Sequence, residues 1–162
     1  MIIYEAVFKK FQEKKVKYVI VGGIAANLLG LIRATADLDI VIDMNAGNIR
    51  KVDEALRSLA FKAKQPIDVR ALDTQALMKL KKEKNLKALN YYKANELSEV
   101  DIIIDSSVSF EQAKRHARTI PVGGLKLPVI SIDDLIRMKS ATGRSVDKFD
   151  VEQMKKIRRM TR

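Results

Sequence analysis

The sequence predicts a single α/β domain with a mixed β-sheet, and three observations lead to this prediction. The chain has 162 residues, of which 47% are apolar and 31% charged, a balance typical of a folded globular domain. Short β-branched runs alternate with segments whose apolar residues recur at helical spacing. No internal repeat, low-complexity segment or linker divides the chain. We therefore treat residues 1–162 as one domain, with 131–162 as a C-terminal helical portion.

The first third of the chain is predicted to alternate helices and strands. Ile3, Val7 and Phe11 recur at helical spacing, so a first helix is expected over residues 2–15. Dense β-branched residues predict a strand over 16–21, which ends at Gly22-Gly23. The next predicted elements are a short buried helix over 24–29 closed by Gly30, a strand over 38–42, and a helix over 46–60 with the apolar stripe Ile49, Val52, Leu56 and Leu59.

Beyond Pro66, which breaks the chain, further helices and strands are expected. A helix is predicted over 73–83, followed by strands over 86–92 and 99–104. Ser109 and Gln112 have the spacing of a capping box, so a helix should begin there and run to about residue 117. The last predicted elements are a hairpin of strands 120–122 and 126–130 around Gly123-Gly124, a helix from Ser131 to near Gly143, and a final helix over 146–159.

The composition narrows the chemistry open to the chain. The sequence has no cysteine, which excludes disulfides, thiolate nucleophiles, zinc fingers and iron–sulfur centres. His116 is the only histidine and stands in a basic stretch, so we expect it at the surface. The groups that remain for catalysis or binding are carboxylates, lysines, arginines and backbone amides. A bound metal should therefore be a hard cation on oxygen ligands, Mg²⁺ or Mn²⁺.

The charge balance points to phosphate-bearing partners. A formal net charge of +11 favours nucleotides or nucleic acid, although many basic proteins bind neither. No apolar run approaches the ~20 residues that cross a bilayer, and the N-terminus lacks the pattern of a signal peptide. We expect a cytoplasmic protein without a membrane segment.

Residues 19–43 carry the pattern that most favours a catalytic site. A strand leads into Gly22-Gly23, where glycine lets the backbone approach a phosphate closely, although such pairs also form ordinary turns. Asp37 and Asp39 are two positions apart on the next strand, so their side chains share one face about 7 Å apart. Two carboxylates at this spacing can hold a pair of divalent cations. The alternative is a solvated strand start.

A second acidic strand supplies a third carboxylate. It begins with Glu99-Val100-Asp101 and continues as an apolar run. If this strand lies beside the strand that carries Asp39, Asp101 completes a three-carboxylate site. Glu99 shares the face of Asp101 and is the competing candidate, whereas Asp105 lies at the far end of the strand.

These features resemble the nucleotidyltransferase superfamily with the palm of DNA polymerase β. Its members carry a Gly-Gly or Gly-Ser turn, an Asp-x-Asp on the next strand and a third carboxylate on a later strand. Within it, the chain is most similar to small bacterial proteins related to abortive-infection toxins. The similarity extends from about residue 16 to 155 and includes Gly22-Gly23, Arg33-Ala34-Thr35, Asp37-Leu38-Asp39, and a C-terminal motif with Lys139, Arg144, Asp147 and Asp150.

The resemblance implies a mixed sheet of the palm type flanked by helices, and an enzyme that transfers an NMP from an NTP to an acceptor hydroxyl with Mg²⁺ or Mn²⁺. It implies that Asp37, Asp39 and Asp101 are catalytic and bind the metal. The acceptor would be a tRNA, a protein or a small molecule, in a system of the toxin–antitoxin type. The residues implied to contact the nucleotide are Gly22, Gly23, Arg33, Thr35 and Lys139.

Other interpretations stay open at this point. The main alternative is a catalytically idle nucleotidyltransferase-like domain that acts as a binding module or antitoxin, and a third is a metal-dependent nuclease or a plain nucleic-acid-binding domain. Lys139 can equally be a solvated lysine, and Arg144 and Asp147 can simply pair at a helix junction. Tyr91-Tyr92 can stack a base or merely pack a strand.

Overall fold

Seven strands form one mixed sheet flanked by helices in the computed structural model, which describes residues 3–161. The strands are β1 (Tyr18–Val21), β2 (Leu38–Ile42), β3 (Phe61–Ala63), β4 (Ala88–Lys93), β5 (Glu99–Ile103), β6 (Arg118–Val122) and β7 (Leu125–Val129). The helices are α1 (Glu5–Glu13), α2 (Gly22–Leu28), α3 (Ala46–Ser58), α4 (Thr74–Lys84), α5 (Phe110–His116), α6 (Ile132–Ser140) and α7 (Ser145–Met160). The predicted α/β fold with a mixed sheet is confirmed.

The strand order brings three chain segments to one point of the sheet. It runs β3-β4-β5-β2-β1-β7-β6, with β2 parallel to β5 and antiparallel to β1. The parallel register pairs Asp39 with Asp101, and the antiparallel register pairs Val21 with Asp39. The end of β1 therefore lies beside the starts of β2 and β5.

The core packs on the central strands and leaves one position of β2 less buried. Leu38 and Ile40 are fully buried on either side of Asp39, which is only partly buried. On α1, Phe11 is also fully buried and meets Tyr18 of β1 edge-to-face, with ring centroids 4.9 Å apart. Because the apolar neighbours of Asp39 anchor β2 in the core, the position of Asp39 in the sheet is fixed.

Most predicted elements are confirmed to within a few residues. The capping box is present, since the Ser109 hydroxyl accepts from the Gln112 N–H at 3.2 Å and α5 begins at the next residue. The first helix begins at Glu5, and the predicted start at residue 2 lies outside the described residues. No helix within residues 3–161 is long and apolar enough to cross a membrane.

Two local features differ from the sequence predictions. The helix predicted over 24–29 begins at Gly22, because β1 passes directly into α2 and the diglycine forms the first helical turn. The segment after α3 contains the short strand β3 and a 3₁₀ turn at Val69–Ala71, neither of which was predicted. Elements of three residues are too short to show a periodic pattern.

Candidate functional site

A cleft of about 870 Å³ opens where β1, β2 and β5 meet. Helix α6 and the start of α7 form its opposite wall. The structure brings together in this cleft all eight residues that the sequence proposed for the site, namely Gly22, Gly23, Arg33, Thr35, Asp37, Asp39, Asp101 and Lys139.

The diglycine lies directly against side chains of the acidic strand and of the loop before it. Gly22 has a φ of +70°, and a Cβ on it would lie 2.0 Å from Asp39 Oδ2. A Cβ on Gly23 would lie 2.5 Å from Thr35 Oγ1. Both separations are far below van der Waals contact, so a side chain at either position would displace Asp39 or Thr35. The backbone of the first turn of α2 therefore approaches Asp39 and Thr35 more closely than any other residue type would allow.

Four carboxylates gather at the starts of β2 and β5. Asp37, Glu99 and Asp101 each offer an oxygen, and these three oxygens lie within 4.8 Å of one another. Asp39 is not a member of this group of three, since its carboxylate lies deeper, against Gly22. Burial, together with the charges of Asp101 and Asp37, raises the pKa of Asp39 to about 7. The cluster is thus a concentration of negative charge that a cation would relieve.

A chain of side-chain amides orients Asp101. Asn90, its neighbour on β4, donates through Nδ2 to Asp101 Oδ1 at 2.7 Å. Gln65 Nε2 donates in turn to Asn90 Oδ1 at 2.5 Å, and Gln65 Oε1 accepts from the Asn90 N–H at 2.9 Å. Burial raises the pKa of Asp101, and the hydrogen bond from Asn90 opposes that rise. Sequence analysis missed Asn90, because only the β4–β5 register places it opposite Asp101.

Glu99 has a cationic partner of its own. Lys64, just beyond β3, places its Nζ 2.6 Å from Glu99 Oε1. Both side chains are more than a third exposed, so the pair contributes little to stability. Glu99 therefore lies within reach of the same cation as Asp37 and Asp101 while already paired with Lys64.

The opposite wall carries a buried ionic cluster between α6, α7 and the loop after α2. Lys139 is only 7% exposed, and its Nζ lies 3.1 Å from Asp147 Oδ1 and 3.0 Å from Asp150 Oδ2. The interpretation of Lys139 as a solvated lysine is therefore wrong, because α6 packs on α7 over the amine. Arg33 contacts Asp150, and Arg144 Nε lies 2.6 Å from Asp147 Oδ2, which confirms the predicted helix-junction pair.

The charge of this cluster is positive toward the cleft. Burial alone would raise the pKa of Asp147, but hydrogen bonds from Thr142, Lys139 and Arg144 outweigh it and lower the pKa. Asp147 therefore stays ionised and holds Lys139 in one place. With Arg33 included, the cluster contains three cations and two buried aspartates. It lies across the cleft from the acidic strands.

Two other sequence interpretations are decided by the fold. Tyr91 is fully buried and donates from its hydroxyl to Asp53 Oδ1 at 2.7 Å, so it packs the sheet and is closed to a base. The His116 side chain is half exposed, as expected, and its Nδ1 lies 2.8 Å from Asp134 Oδ2.

Comparison with known families identifies the chain. A family model described as nucleotidyl transferase of unknown function (DUF2204) matches residues 1–162. The chain belongs to this nucleotidyltransferase family. The match confirms both the superfamily that the sequence resembles and the enzyme class. A search of curated proteins finds no significant match.

Solved structures of similar fold support the assignment. The lincosamide antibiotic adenylyltransferase LnuA, determined with lincomycin bound, shares 19% identity at a TM-score of 0.61, with 93% of each chain covered. ANT(2")-Ia, determined with adenylyl-2"-tobramycin, shares 11% identity at a TM-score of 0.57, covering 96% of this chain and 92% of its own. The Thermotoga maritima protein TM1012 shares 16% identity at a TM-score of 0.53, and the match covers 96% of this chain and 88% of TM1012. At these identities the likeness establishes the nucleotidyltransferase fold.

Proposed function

We propose that this protein is a Mg²⁺- or Mn²⁺-dependent nucleotidyltransferase that transfers an NMP from an NTP to a hydroxyl of a small-molecule acceptor. The observation that carries the proposal is the parallel register of β2 and β5, which sets Asp101 beside Asp39, next to Gly22. The two antibiotic-modifying structures favour a small-molecule acceptor, because this chain covers more than nine-tenths of each. The +11 charge keeps tRNA, or a protein, as further acceptors to test.

The donor set fits a hard divalent cation. Asp37, Glu99 and Asp101 present oxygens within 4.8 Å of one another, and carboxylate oxygen is the ligand that Mg²⁺ and Mn²⁺ prefer. Asp37, Asp101 and the adjacent Asp39 would hold the metal, with Glu99 as a fourth carboxylate. A bound divalent ion supplies charge neutralisation on the triphosphate and polarisation of its phosphoryl oxygens.

The remaining groups of the cleft match the other needs of the reaction. The Gly22-Gly23 backbone lines the cleft, packed against Asp39 and Thr35, and would contact phosphate oxygens there. Lys139 is a fixed cation opposite the carboxylates and would face the phosphates together with Arg33. Such transfer depends on in-line geometry and on neutralised charge, so a site without histidine or cysteine is sufficient.

The covalent change is a single displacement at phosphorus. The acceptor oxygen forms a bond to the α-phosphorus, and the bond from that phosphorus to the bridging oxygen of the β-phosphate breaks, so that pyrophosphate leaves. In this proposal Asp101 accepts the hydroxyl proton, and the hydrogen bond from Asn90 to its Oδ1 supports this role by orienting the carboxylate.

The test uses the four NTPs labelled at the α-phosphate, with Mg²⁺ or Mn²⁺. Each is incubated with three acceptor pools: hydroxylated small molecules, total RNA and soluble proteins. We compare the wild type with Asp39→Ala and with Asp43→Ala, a matched loss of carboxylate at the other end of β2, outside the cleft. Label should reach one pool with the wild type and Asp43→Ala, and transfer should fall at least about 100-fold with Asp39→Ala.

The same experiment distinguishes the rival functions. Transfer that persists in Asp39→Ala would reject the proposed site. No transfer to any pool, together with no metal-dependent NTP binding, would favour the idle binding module or antitoxin. The toxin–antitoxin context stays a prediction, which growth arrest on expression of the chain alone, relieved by Asp39→Ala, would support.

A further inference from the structure

A tyrosine from the N-terminal segment reaches the gap between the two acidic strands. Tyr4 immediately precedes α1, and its hydroxyl donates to the Ala36 carbonyl oxygen at 2.5 Å. The same hydroxyl accepts from the Glu99 N–H at 3.0 Å, and the Glu99 carbonyl oxygen lies 2.8 Å away as a second acceptor. Ala36 directly precedes Asp37, and Glu99 opens β5. One hydroxyl thus joins the backbones at the start of both acid-bearing strands.

The Tyr4 hydroxyl links the backbones of β2 and β5 just before their first paired residues. Paired residues of β2 and β5 begin with Leu38 and Val100, which follow the Tyr4 contacts at Ala36 and Glu99 by two positions and by one. Before that point the Tyr4 hydroxyl links the Ala36 carbonyl to the Glu99 N–H. The side chains of Asp37, Glu99 and Asp101 converge beside this link.

The backbone of Tyr4 is strained in order to make this contact. Its φ is 63° and its ψ 21°, in the left-handed region that residues other than glycine, asparagine and aspartate seldom adopt. Such a conformation persists only where surrounding contacts determine it, and it is concentrated at functional sites. At Tyr4 the determining contacts include the bonds to residues 32 and 95 positions away.

We propose that Tyr4 is a positioning residue, whose hydroxyl holds the ends of β2 and β5 at the separation that lets Asp37, Glu99 and Asp101 share one divalent cation. That a cation binds here rests on the proposed function. The part of the proposal that concerns the spacing of the strand ends is independent of that function, since it applies to the protein without metal.

The experiment compares Tyr4→Phe with Tyr18→Phe, a matched loss of a tyrosine hydroxyl on β1, where the ring packs against Phe8 and Phe11. The first measurement is amide hydrogen exchange of Glu99 in metal-free protein. The second is Mn²⁺ affinity, from the electron paramagnetic resonance signal of free Mn²⁺. In Tyr4→Phe we expect Glu99 exchange to be at least about fivefold faster, because its N–H loses its partner. We expect the Mn²⁺ dissociation constant to rise about 10- to 100-fold. Tyr18→Phe should change neither.

Each other outcome has a defined meaning. Unchanged Glu99 exchange in Tyr4→Phe would overturn the proposal, and so would faster exchange with wild-type Mn²⁺ affinity. Loss of the whole fold in Tyr4→Phe would also overturn it, since a positioning hydroxyl leaves the core intact. A wild-type protein that binds no Mn²⁺, with or without NTP, would reject the proposed function, and the exchange rate of Glu99 would still decide whether Tyr4 joins the strands.

Discussion

Gly22→Ala probes the contact between the first turn of α2 and the acidic strand most directly. The new Cβ would lie 2.0 Å from Asp39 Oδ2, whereas ordinary contact begins at 3.4 Å, so the Asp39 carboxylate must move by about 1.4 Å. A misplacement of about 1 Å at a reacting centre costs about 100-fold in rate. We therefore expect nucleotidyl transfer to fall by about that factor.

The substitution also has a conformational cost that must be separated from the displacement of Asp39. Alanine at a φ of +70° is strained by about 1–2 kcal/mol. Gly124→Ala is the matched control, because Gly124 has a φ of +82° with nothing within 4 Å of the added Cβ, and it lies in the β6–β7 hairpin, away from the cleft. Both variants carry this conformational cost, and in Gly22→Ala the displacement of Asp39 adds to it.

The assay measures transfer of α-labelled nucleotide to the pool that accepts it, alongside urea unfolding of the same proteins. The expected result is that both variants remain folded and only Gly22→Ala is slow. Equal transfer rates in Gly22→Ala and Gly124→Ala would refute the inference that the diglycine is required by its approach to Asp39.

Three further predictions concern the carboxylates and the buried lysine. Lys139→Met should lower the free energy of unfolding by about 3 kcal/mol in urea, because it leaves two buried aspartates short of a cation. The pKa of Asp39 is raised from 3.8 to about 7, so its ionisation destabilises the metal-free fold increasingly between those pH values. In EDTA, Asp39→Asn should therefore raise the free energy of unfolding by up to about 4 kcal/mol at pH 8 and by little at pH 4. An equal effect at both pH values would contradict this prediction. Asn90→Ala should weaken Mn²⁺ binding about 10- to 100-fold by freeing Asp101, and isothermal titration with unchanged affinity would refute it.

The local features of the site were predictable because they depend on short-range pattern. Strand alternation predicts Asp37 and Asp39 on one face, and both line the cleft, although Asp37 lies just before β2. The capping box starts α5 where Ser109 and Gln112 predict it. The short separation in the chain also made the pair of Arg144 and Asp147 predictable. In each case the interacting groups lie within five residues of one another, so the backbone geometry of one element brings them together.

The groups that orient the carboxylates were not predictable, since they come from distant segments. Asn90 meets Asp101 only because β4 and β5 pair in one register, and a slip of one residue would turn its side chain to the other face. Lys139 is buried only because α7 folds back over α6. Tyr4 reaches Glu99 across 95 positions of chain, through a backbone conformation that propensity disfavours.

By itself, the sequence determined that the chain alternates strands and helices, that it has no thiol chemistry, and that a diglycine and an acidic pair lie close together in the chain. Those properties follow from composition and from periodicities of two and 3.6 residues. Only the tertiary structure decided that β5 lies parallel to β2, that Glu99 joins Asp37 and Asp101, and that a buried ionic cluster faces them. Strand neighbours are chosen by the burial of whole faces and by loop closure, which no local stretch of residues encodes.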